Sequence, residues 1–301
     1  MTTPSTTDYF KLHFIVLLWG FTAILGKLVA IPAVEMVFYR TLLAAAGMGA
    51  VMLYTQTRFR ISTSDFWKIF LVGFIVAAHW LTFFISGRIA NASVSLVGFA
   101  TGSLWTALIE PLVKKKKIQA IEVGLGLVVI TGLYIIFSFD FEYPLGLLLG
   151  IASGLTMALF AVFNSTFVNR VHPFTITFYE MTGACVATAL FFPVYLAFWS
   201  TDHQLHLIPS WMDWVCIAAM AWACSVYAYT VALNLMKKIS VFLISLTLNL
   251  EPVYGIVMAV AIFGDSEKMT FNFYIGTAVI LCAVLSYPLL KGKLTKSTQP
   301  S

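Results

Sequence analysis

The sequence predicts an all-α integral membrane protein of ten transmembrane helices, arranged as two inverted five-helix repeats with both termini in the cytoplasm. Three observations predict this fold: ten long apolar stretches, a composition unlike that of soluble domains, and a one-sided distribution of positive charge. Of the 301 residues, 60% are hydrophobic and 10% are charged, whereas soluble domains contain about 25% charged residues. About 20 apolar residues cross a bilayer core of roughly 30 Å as a helix. The predicted spans cover residues 11–31, 34–55, 66–87, 91–113, 118–138, 143–167, 174–199, 211–234, 239–263 and 272–290.

No polar segment between these spans is long enough to fold by itself. The first span follows a short Ser/Thr-rich tail and is too long for the apolar core of a signal peptide, so we interpret it as a membrane helix. The longest connection, residues 200–210, joins the seventh and eighth spans. In the ninth span, Pro252 removes a backbone hydrogen bond from the helix. The predicted organisation is a first repeat at 1–138, a second repeat at 143–290 and a cytoplasmic tail at 291–301.

Positive charge is concentrated in alternate connections. If the N terminus is cytoplasmic, 14 of the 18 Lys and Arg residues lie on the cytoplasmic side, namely Lys11, Arg58, Arg60, Lys68, Lys114–Lys117, Arg170, Lys237, Lys238, Lys291, Lys293 and Lys296. The opposite edges hold Lys27, Arg88, Lys268, Asp140 and Glu142. This asymmetry follows the positive-inside rule and predicts cytoplasmic termini. The run of four lysines could bind nucleic acid or anionic lipid, but topology anchoring is the simpler interpretation, and we expect no nucleic-acid partner.

The two halves of the chain resemble each other at a spacing of about 140–147 residues. Pro32 precedes Phe38-Tyr39-Arg40, and Pro173 precedes Phe178-Tyr179-Glu180. Further along, Ala92-Ser93-Val94 matches Ile239-Ser240-Val241. Because each half contains five spans, the second half enters the membrane from the opposite side. The result is an inverted repeat, which is typical of secondary transporters.

Two groups of short motifs lie near the first and ninth spans. The first group is Trp19-Gly20-Phe21, Lys27, Pro32, Arg40 and Ala44, and the second is Leu250-Glu251-Pro252-Val253, Gly264 and Glu267. In order and spacing they resemble the first-helix and ninth-helix patterns of drug/metabolite transporters of the EamA type. The resemblance implies ten helices in two inverted repeats and secondary transport, often export of amino acids, related metabolites or drugs. We expect this chain to differ from the family pattern in three places. The proline of the fourth helix is missing near Leu104-Trp105, Lys114–Lys117 replace the acidic residue that follows this helix, and Glu180 stands where a basic residue is common.

Signatures of enzymes are missing from the sequence. It contains no P-loop, no His-Glu-x-x-His, no nucleophile elbow and no Gly-rich dinucleotide turn. The cysteines, Cys185, Cys216, Cys224 and Cys282, lie in apolar spans without the paired spacing of metal ligands. We therefore expect a protein that is not an enzyme, with no cofactor and no metal site, whose flux does not depend on ATP hydrolysis.

Polar and aromatic residues converge near the middle of the membrane, where transporter sites are expected. At a rise of about 1.5 Å per residue, Thr101, Trp222 and Asn249 lie near the midplane, and Glu251 lies one step further. The predicted substrate site comprises His79, Trp80, Phe83, Thr101, Trp105, Trp222, Asn249 and Glu251. Structural roles are the alternative: His79 and Asn249 could bond neighbouring helices, and Glu251 could brace the interruption at Pro252.

Arg40 and Glu180 occupy equivalent positions of the two repeats. Inversion places Arg40 about 10 Å from the outer surface and Glu180 about 10 Å from the inner surface, so one zwitterion would not easily touch both. We expect these charges to line opposite vestibules or to be braced separately by neighbouring helices.

The residues favour a carrier of an amphiphilic molecule, and the resemblance adds export of amino acids. Multidrug efflux and exchange of phosphorylated metabolites are alternatives within transport, and a channel or structural membrane protein is the alternative of another class. We expect a multi-pass protein of the cell membrane (the inner membrane if the source is bacterial) that works as a monomer among membrane lipids. Coupling of a small-molecule substrate to protons stays open.

Overall fold

The structure, a computed structural model, describes residues 4–90, 92–137, 143–200, 202–254, 258 and 271–297. All regular structure in these residues is helical. The helices are α1 (Thr6–Leu28), α2 (Ala33–Tyr54), α3 (Thr63–Ile89), α4 (Ala92–Ala100), α5 (Gly102–Val113), α6 (Ala120–Phe137), α7 (Pro144–Phe167), α8 (Pro173–Phe198), α9 (Trp211–Ala219), α10 (Tyr229–Leu235), α11 (Val241–Leu248) and α12 (Phe271–Ser297). A π-helix, Met220–Ala228, joins α9 to α10, and helical residues resume at 251–254. The predictions made for Asp140, Glu142, Gly264, Glu267, Lys268 and the end of the ninth span lie outside the described residues.

Local sequence signals set the beginnings of these helices. Ser5 caps α1 and Ser210 caps α9, each in a capping box with the aspartate three residues later. Ser62 caps α3 by accepting a hydrogen bond from the backbone N–H of Asp65. Both α7 and α8 begin with a proline, whose fixed φ angle suits the first position of a helix. The connections therefore lie close to where the sequence predicts them.

In the part of the chain that the structure describes, seven helical segments are long and apolar enough to cross a membrane. They are Thr6–Gly26, Ala33–Tyr54, Thr63–Ile89, Val94–Val113, Pro144–Phe167, Pro173–Phe198 and Trp211–Leu235. Three shorter apolar helices, Ala120–Ile135, Val241–Tyr254 and Tyr274–Tyr287, lie where the fifth, ninth and tenth spans are predicted. The length and composition of these segments indicate a multi-pass membrane protein, while the count of ten spans stays a prediction.

The fourth span contains a proline that the sequence analysis did not expect. Pro111 lies inside α5 directly after Glu110. This pair corresponds to Glu251-Pro252 in the second half at a spacing of 141 residues, within the spacing of the repeat. The expected absence of a proline from the fourth span is therefore wrong, because Pro111 lies nearer the end of the span than Leu104-Trp105.

The helices of the two halves are interleaved, so the most extensive contacts join a helix of one half to a helix of the other. The most extensive contacts join α3 to α7 and α8, α2 to α8, and α4 to α7, and each of these pairs links the first half to the second. The chief contact of α6 is with α12, which again joins the first half to the second. Where α4 meets α7, Gly98 lies against Gly150, and the missing side chains let the two backbones approach closely.

At the two ends of the bundle, polar contacts join helix starts to the connections between other helices. At one end, Lys238 pairs with Asp8 at 3.0 Å and Arg170 pairs with Asp65 at 2.7 Å. These contacts bring together the start of α1, the start of α3 and the connections before α8 and α11, all of which the predicted topology assigns to the cytoplasm. At the other end, the backbone N–H of His206 donates to Glu35 at 3.2 Å. The arrangement separates the two sets of connections, and the side of the membrane that each faces stays a prediction.

Candidate functional site

A cavity lies inside the bundle between helices of both halves. Its volume is about 90 Å³, which is enough for several water molecules. Its polar lining residues are Thr22, Arg40, His79, Ser245 and Glu251. Its aromatic lining residues are Trp19, Trp80, Phe83, Phe84, Phe99, Phe160 and Tyr229. The cavity is therefore mainly aromatic, with a small number of polar groups that could fix the orientation of a ligand.

Arg40 brings a positive charge to the cavity from α2. Its side chain is 1% exposed, its Nε donates to Ser225 Oγ at 3.0 Å, and its guanidinium carbon lies 4.1 Å from the ring centroid of Trp80. The Nη1 atom is buried and has no hydrogen-bond partner. An unsatisfied charged donor is costly in an apolar surrounding, so the positive charge of Arg40 is only partly compensated by its neighbours. The structure thus places Arg40 on the lining of the cavity.

Glu251 brings a carboxyl group to the same cavity from the second half of the chain. It begins the helical residues that follow the turn at Asn249 and Leu250, with Pro252 at the next position. The side chain of Glu251 is 8% exposed, and the ion pairs of the described residues do not include one between Glu251 and Arg40. A cavity that separates a guanidinium from a carboxyl group can accept a ligand carrying both signs of charge.

His79 lies on α3 and is held against α7. Its Nδ1 is 3.0 Å from the carbonyl oxygen of Ser153 and 2.9 Å from the hydroxyl of the same residue. The nitrogen can donate to the carbonyl or accept from the hydroxyl, but one tautomer cannot do both. Phe83, Phe99 and Phe160 surround the imidazole with ring centroids 5.5 to 6.3 Å away. The ring is therefore fixed in an aromatic part of the cavity.

Four of the eight predicted substrate-site residues line this cavity: His79, Trp80, Phe83 and Glu251. The other four lie elsewhere and do not line it. Thr101 donates to the carbonyl of Gly98 in its own chain segment, and the amide of Asn249 donates to the carbonyls of Ser245 and Leu246.

The two remaining tryptophans differ from Trp80 in their surroundings. Trp222 lies on the π-helix, is 54% exposed and covers Gly47 of α2. Trp105 is half-buried on α5, and its Nε1 is buried without a hydrogen-bond partner. Neither indole reaches the cavity in this conformation.

Glu180 lies in a layer behind the cavity. Its Oε2 accepts hydrogen bonds from the hydroxyl of Tyr229 at 2.7 Å and from the Nδ2 of Asn164 at 3.3 Å. Tyr229 itself lines the cavity, so it connects the buried carboxyl group to the candidate site. Arg40 and Glu180 form no ion pair with each other, and each is braced by its own neighbours.

Several lining residues were not anticipated from the sequence. Trp19 was noted only as part of a motif, although its Nε1 donates to the carbonyl of Cys224 at 2.9 Å and its ring lines the cavity. Phe99, Phe160 and Tyr229 also line it. Their positions deep inside predicted spans were a usable signal, but depth alone does not identify the helix face that turns inward. Within the described residues, no group of three His, Cys, Asp or Glu side chains is placed to hold a metal ion.

Comparison with known proteins gives one family match that spans most of the chain. The model of the EamA-like transporter family matches residues 9–138 and 144–287. No curated protein sequence matches significantly. Among solved structures, one crystal structure described only as that of a protein is 16% identical, with a TM-score of 0.77 over 97% of this chain and 99% of the other. At this identity the similarity concerns the fold alone.

Proposed function

The chain belongs to the EamA-like transporter family, and we propose that it exports amino acids and related amphiphilic metabolites by alternating access. The observation that supports this substrate class is the presence of Arg40 and Glu251 on one aromatic-lined cavity. A zwitterion with an apolar side chain carries the complementary charges and the complementary apolar surface on one small molecule.

In this proposal, Arg40 receives the carboxylate of the substrate. Ser225 and the Trp80 ring hold the guanidinium at the cavity, and its Nη1 has no hydrogen-bond partner within the protein. A hydrogen bond that involves an ionised group contributes about 1.5–3 kcal/mol. This range corresponds to roughly 10-fold to 150-fold in affinity, since 1.4 kcal/mol is about tenfold.

Glu251 and the aromatic rings receive the ammonium group and the apolar side chain. A cation over an aromatic face gains about 0.5–2 kcal/mol, and each buried CH₂ group of the substrate contributes about 0.8 kcal/mol. Met157, Leu233 and Leu248 add aliphatic surface to the lining. We expect affinity to rise with the size of the apolar side chain until it fills the space.

Inverted repeats supply the conformational change. The contacts of α3 with α7 and α8, and of α2 with α8, join the two halves around the cavity. Exchange of the two repeats between equivalent conformations would open the cavity to one side and then to the other. We propose that the protein does this as a monomer in the cell membrane and without ATP hydrolysis, because no nucleotide-binding loop is present in the sequence.

Counterflow in proteoliposomes tests the proposed function. The purified protein is reconstituted into vesicles that are loaded with unlabelled amino acid. Uptake of labelled amino acid from outside is then followed without ATP. We expect transient accumulation of the label, which a channel does not produce. Absence of counterflow for every amino acid, together with counterflow of hydrophobic cations, would replace amino-acid export with drug efflux.

Arg40→Gln provides the sharper test of the substrate pose. We expect counterflow of the amino acid to fall about tenfold or more, the scale of one lost charged hydrogen bond. Counterflow of the corresponding amine, which lacks the carboxylate, should change much less. Arg170→Gln is the matched control, because Arg170 pairs with Asp65 at the end of the bundle. Equal losses for the amino acid and the amine would contradict the assignment of Arg40 to the carboxylate.

A pair of tryptophans tests the placement of the site. Trp80 lines the cavity, whereas Trp222 is 54% exposed. We expect Trp80→Leu to weaken substrate binding several-fold and Trp222→Leu to leave it close to that of the parent. The reverse order would move the site towards the π-helix.

Drug efflux is the second candidate function. The seven aromatic side chains and the carboxyl group of Glu251 would also suit a hydrophobic cation. Exchange of phosphorylated metabolites has less support, because Arg40 is the only lysine or arginine among the described residues that line the cavity.

A further inference from the structure

A cluster of three buried polar side chains lies directly behind the cavity. Tyr229 comes from α10, Asn164 from α7 and Glu180 from α8, so the cluster joins three helices. Asn164 and Glu180 are 0% exposed, and Tyr229 is 6% exposed where it lines the cavity. The proposed substrate contacts use the ring of Tyr229, but they use neither its hydroxyl group nor the side chains of Asn164 and Glu180.

The hydrogen bonds of the cluster consume every donor that its side chains possess. The Tyr229 hydroxyl donates to Glu180 Oε2 at 2.7 Å. The Asn164 amide donates one hydrogen to the same oxygen at 3.3 Å and the other to the Tyr229 oxygen at 2.9 Å. A tyrosine has one donor and an asparagine amide has two, so none remains.

Two buried oxygen atoms are left without a donor. They are Glu180 Oε1 and Asn164 Oδ1. An ionised carboxylate with one bare oxygen is costly in an apolar surrounding, and in practice such a group is neutralised. One added proton on the carboxyl group of Glu180 removes its charge and supplies the donor that the cluster lacks.

No cation neutralises this carboxyl group among the described residues. The helices in extensive contact with α8 are α2 and α3, and α10 also packs on it. Their buried titratable side chains are Glu35 and Arg40 on α2, His79 on α3 and Tyr229 on α10. Of these four titratable side chains, only Tyr229 forms a hydrogen bond with Glu180. Arg40 bonds to Ser225, and His79 bonds to Ser153.

We propose that Glu180 is an intramembrane proton-binding site which exchanges protons with the substrate cavity through the hydroxyl group of Tyr229. A proton that arrives from cavity water binds the Tyr229 oxygen, and the hydroxyl proton passes to Glu180. The reverse sequence releases it. Because the proposed function is export, substrate leaves in exchange for a proton that enters, and this part of the inference rests on the proposed function of the cavity.

Proteoliposomes with a pH difference across the membrane test the exchange, with an amino acid that shows counterflow as the probe. With the membrane potential held at zero, since each exchange moves one positive charge, one-for-one exchange supports about a tenfold accumulation on the acidic side per pH unit. We expect this accumulation in the parent protein and its loss in Glu180→Gln, whose amide mimics the neutral carboxyl group and supplies a donor. Counterflow without a pH difference should persist in Glu180→Gln, which shows that the variant is folded.

A second variant interrupts the route without removing the carboxyl group. Tyr229→Phe should slow accumulation driven by the pH difference more than it slows counterflow. Tyr227→Phe is the matched control, because Tyr227 is 46% exposed on the π-helix. If the parent does not accumulate substrate on the acidic side, or if Glu180→Gln accumulates it equally well, the inference is overturned while the proposed function stands.

Infrared spectroscopy of the purified protein gives a readout that needs no substrate. We expect a protonated-carboxyl band at neutral pH that disappears in Glu180→Gln, persists in Glu251→Gln and shifts in Tyr229→Phe through the lost hydrogen bond. If no amino acid shows counterflow, the proposed function fails and this band alone decides the proton site. A band that Glu180→Gln leaves unchanged would overturn it.

Discussion

The close approach of α4 and α7 gives a prediction whose magnitude follows from distances. A Cβ atom on Gly98 would lie 2.5 Å from the carbonyl carbon of Gly150, 2.6 Å from its Cα and 2.7 Å from the backbone nitrogen of Ile151. Non-bonded carbon atoms pack best at about 3.5–4.0 Å. In Gly98→Ala, the two backbones would therefore have to separate by about 1 Å. All three contacts are with backbone atoms, so rotating a side chain cannot relieve them.

This separation should lower the stability of the protein. Inserting a methyl group into a well-packed site costs about 1–3 kcal/mol. The gain in helix propensity from glycine to alanine, about 1 kcal/mol in water, offsets part of that cost. We expect a net destabilisation of up to roughly 2 kcal/mol, seen as a lower midpoint in thermal unfolding of the purified protein in one detergent. Transport should also decrease, because α4 carries Phe99 into the cavity.

Gly124→Ala is the matched control for this experiment. A Cβ atom on Gly124 would meet nothing within 4 Å, although the residue also lies inside a helix. We expect its midpoint to equal or exceed that of the parent. If Gly98→Ala and Gly124→Ala unfold at the same temperature, close backbone contact between α4 and α7 does not stabilise the protein and the reasoning is refuted.

Two further predictions concern topology and pH. In a background without reactive cysteines, Gln204→Cys should react with an impermeant thiol reagent in intact cells and Lys116→Cys should not; labelling of Lys116→Cys instead would reverse the orientation. His172 accepts a hydrogen bond from the backbone N–H of Phe174 at the start of α8, and burial together with the charge of Lys237 lowers the pKa of its imidazole below the ordinary value of 6.5. The folded state thus favours neutral His172, so its contribution is complete above about pH 7 and is lost as the pH falls through the lowered folded-state pKa. We expect the thermal unfolding midpoint of the parent to decrease as the pH is lowered from about 7.5 to about 5.5. The decrease should be smaller in His172→Asn, because asparagine caps the helix without titrating. Equal pH dependence in the two proteins would contradict this.

Much of the fold could be predicted from the sequence because its signals are local. Hydrophobic length identifies a membrane segment without knowledge of its neighbours, and Ser5, Ser62 and Ser210 cap helices through residues three positions away. Small residues four apart on a helix, such as Gly98 and Gly102, are typical of close helix contacts, but this spacing does not identify the partner helix. The Glu110-Pro111 motif was equally local and was available in the sequence.

The candidate site could be predicted only by depth. Counting residues along a span gives the height of a residue in the membrane. Four residues chosen largely by height do line the cavity: His79, Trp80, Phe83 and Glu251. Height does not specify the direction in which a side chain points. Thr101 and Asn249 have suitable height, yet both donate to carbonyl groups of their own segments, where the helices are interrupted.

The eighth span shows why the direction of a side chain was decided by tertiary structure. In an uninterrupted α-helix, Trp222 and Tyr229, seven residues apart, would share one face. The wider turns of the π-helix at Met220–Ala228 rotate the chain less per residue, so this register is lost between them. Trp222 is exposed and Tyr229 lines the cavity. The sequence by itself determined a helical membrane protein with its spans and charged connections, because hydrophobicity, capping and charge act over a few residues. Only the packing of one half against the other decided which side chains meet, because that depends on rotations of helices far apart in the chain.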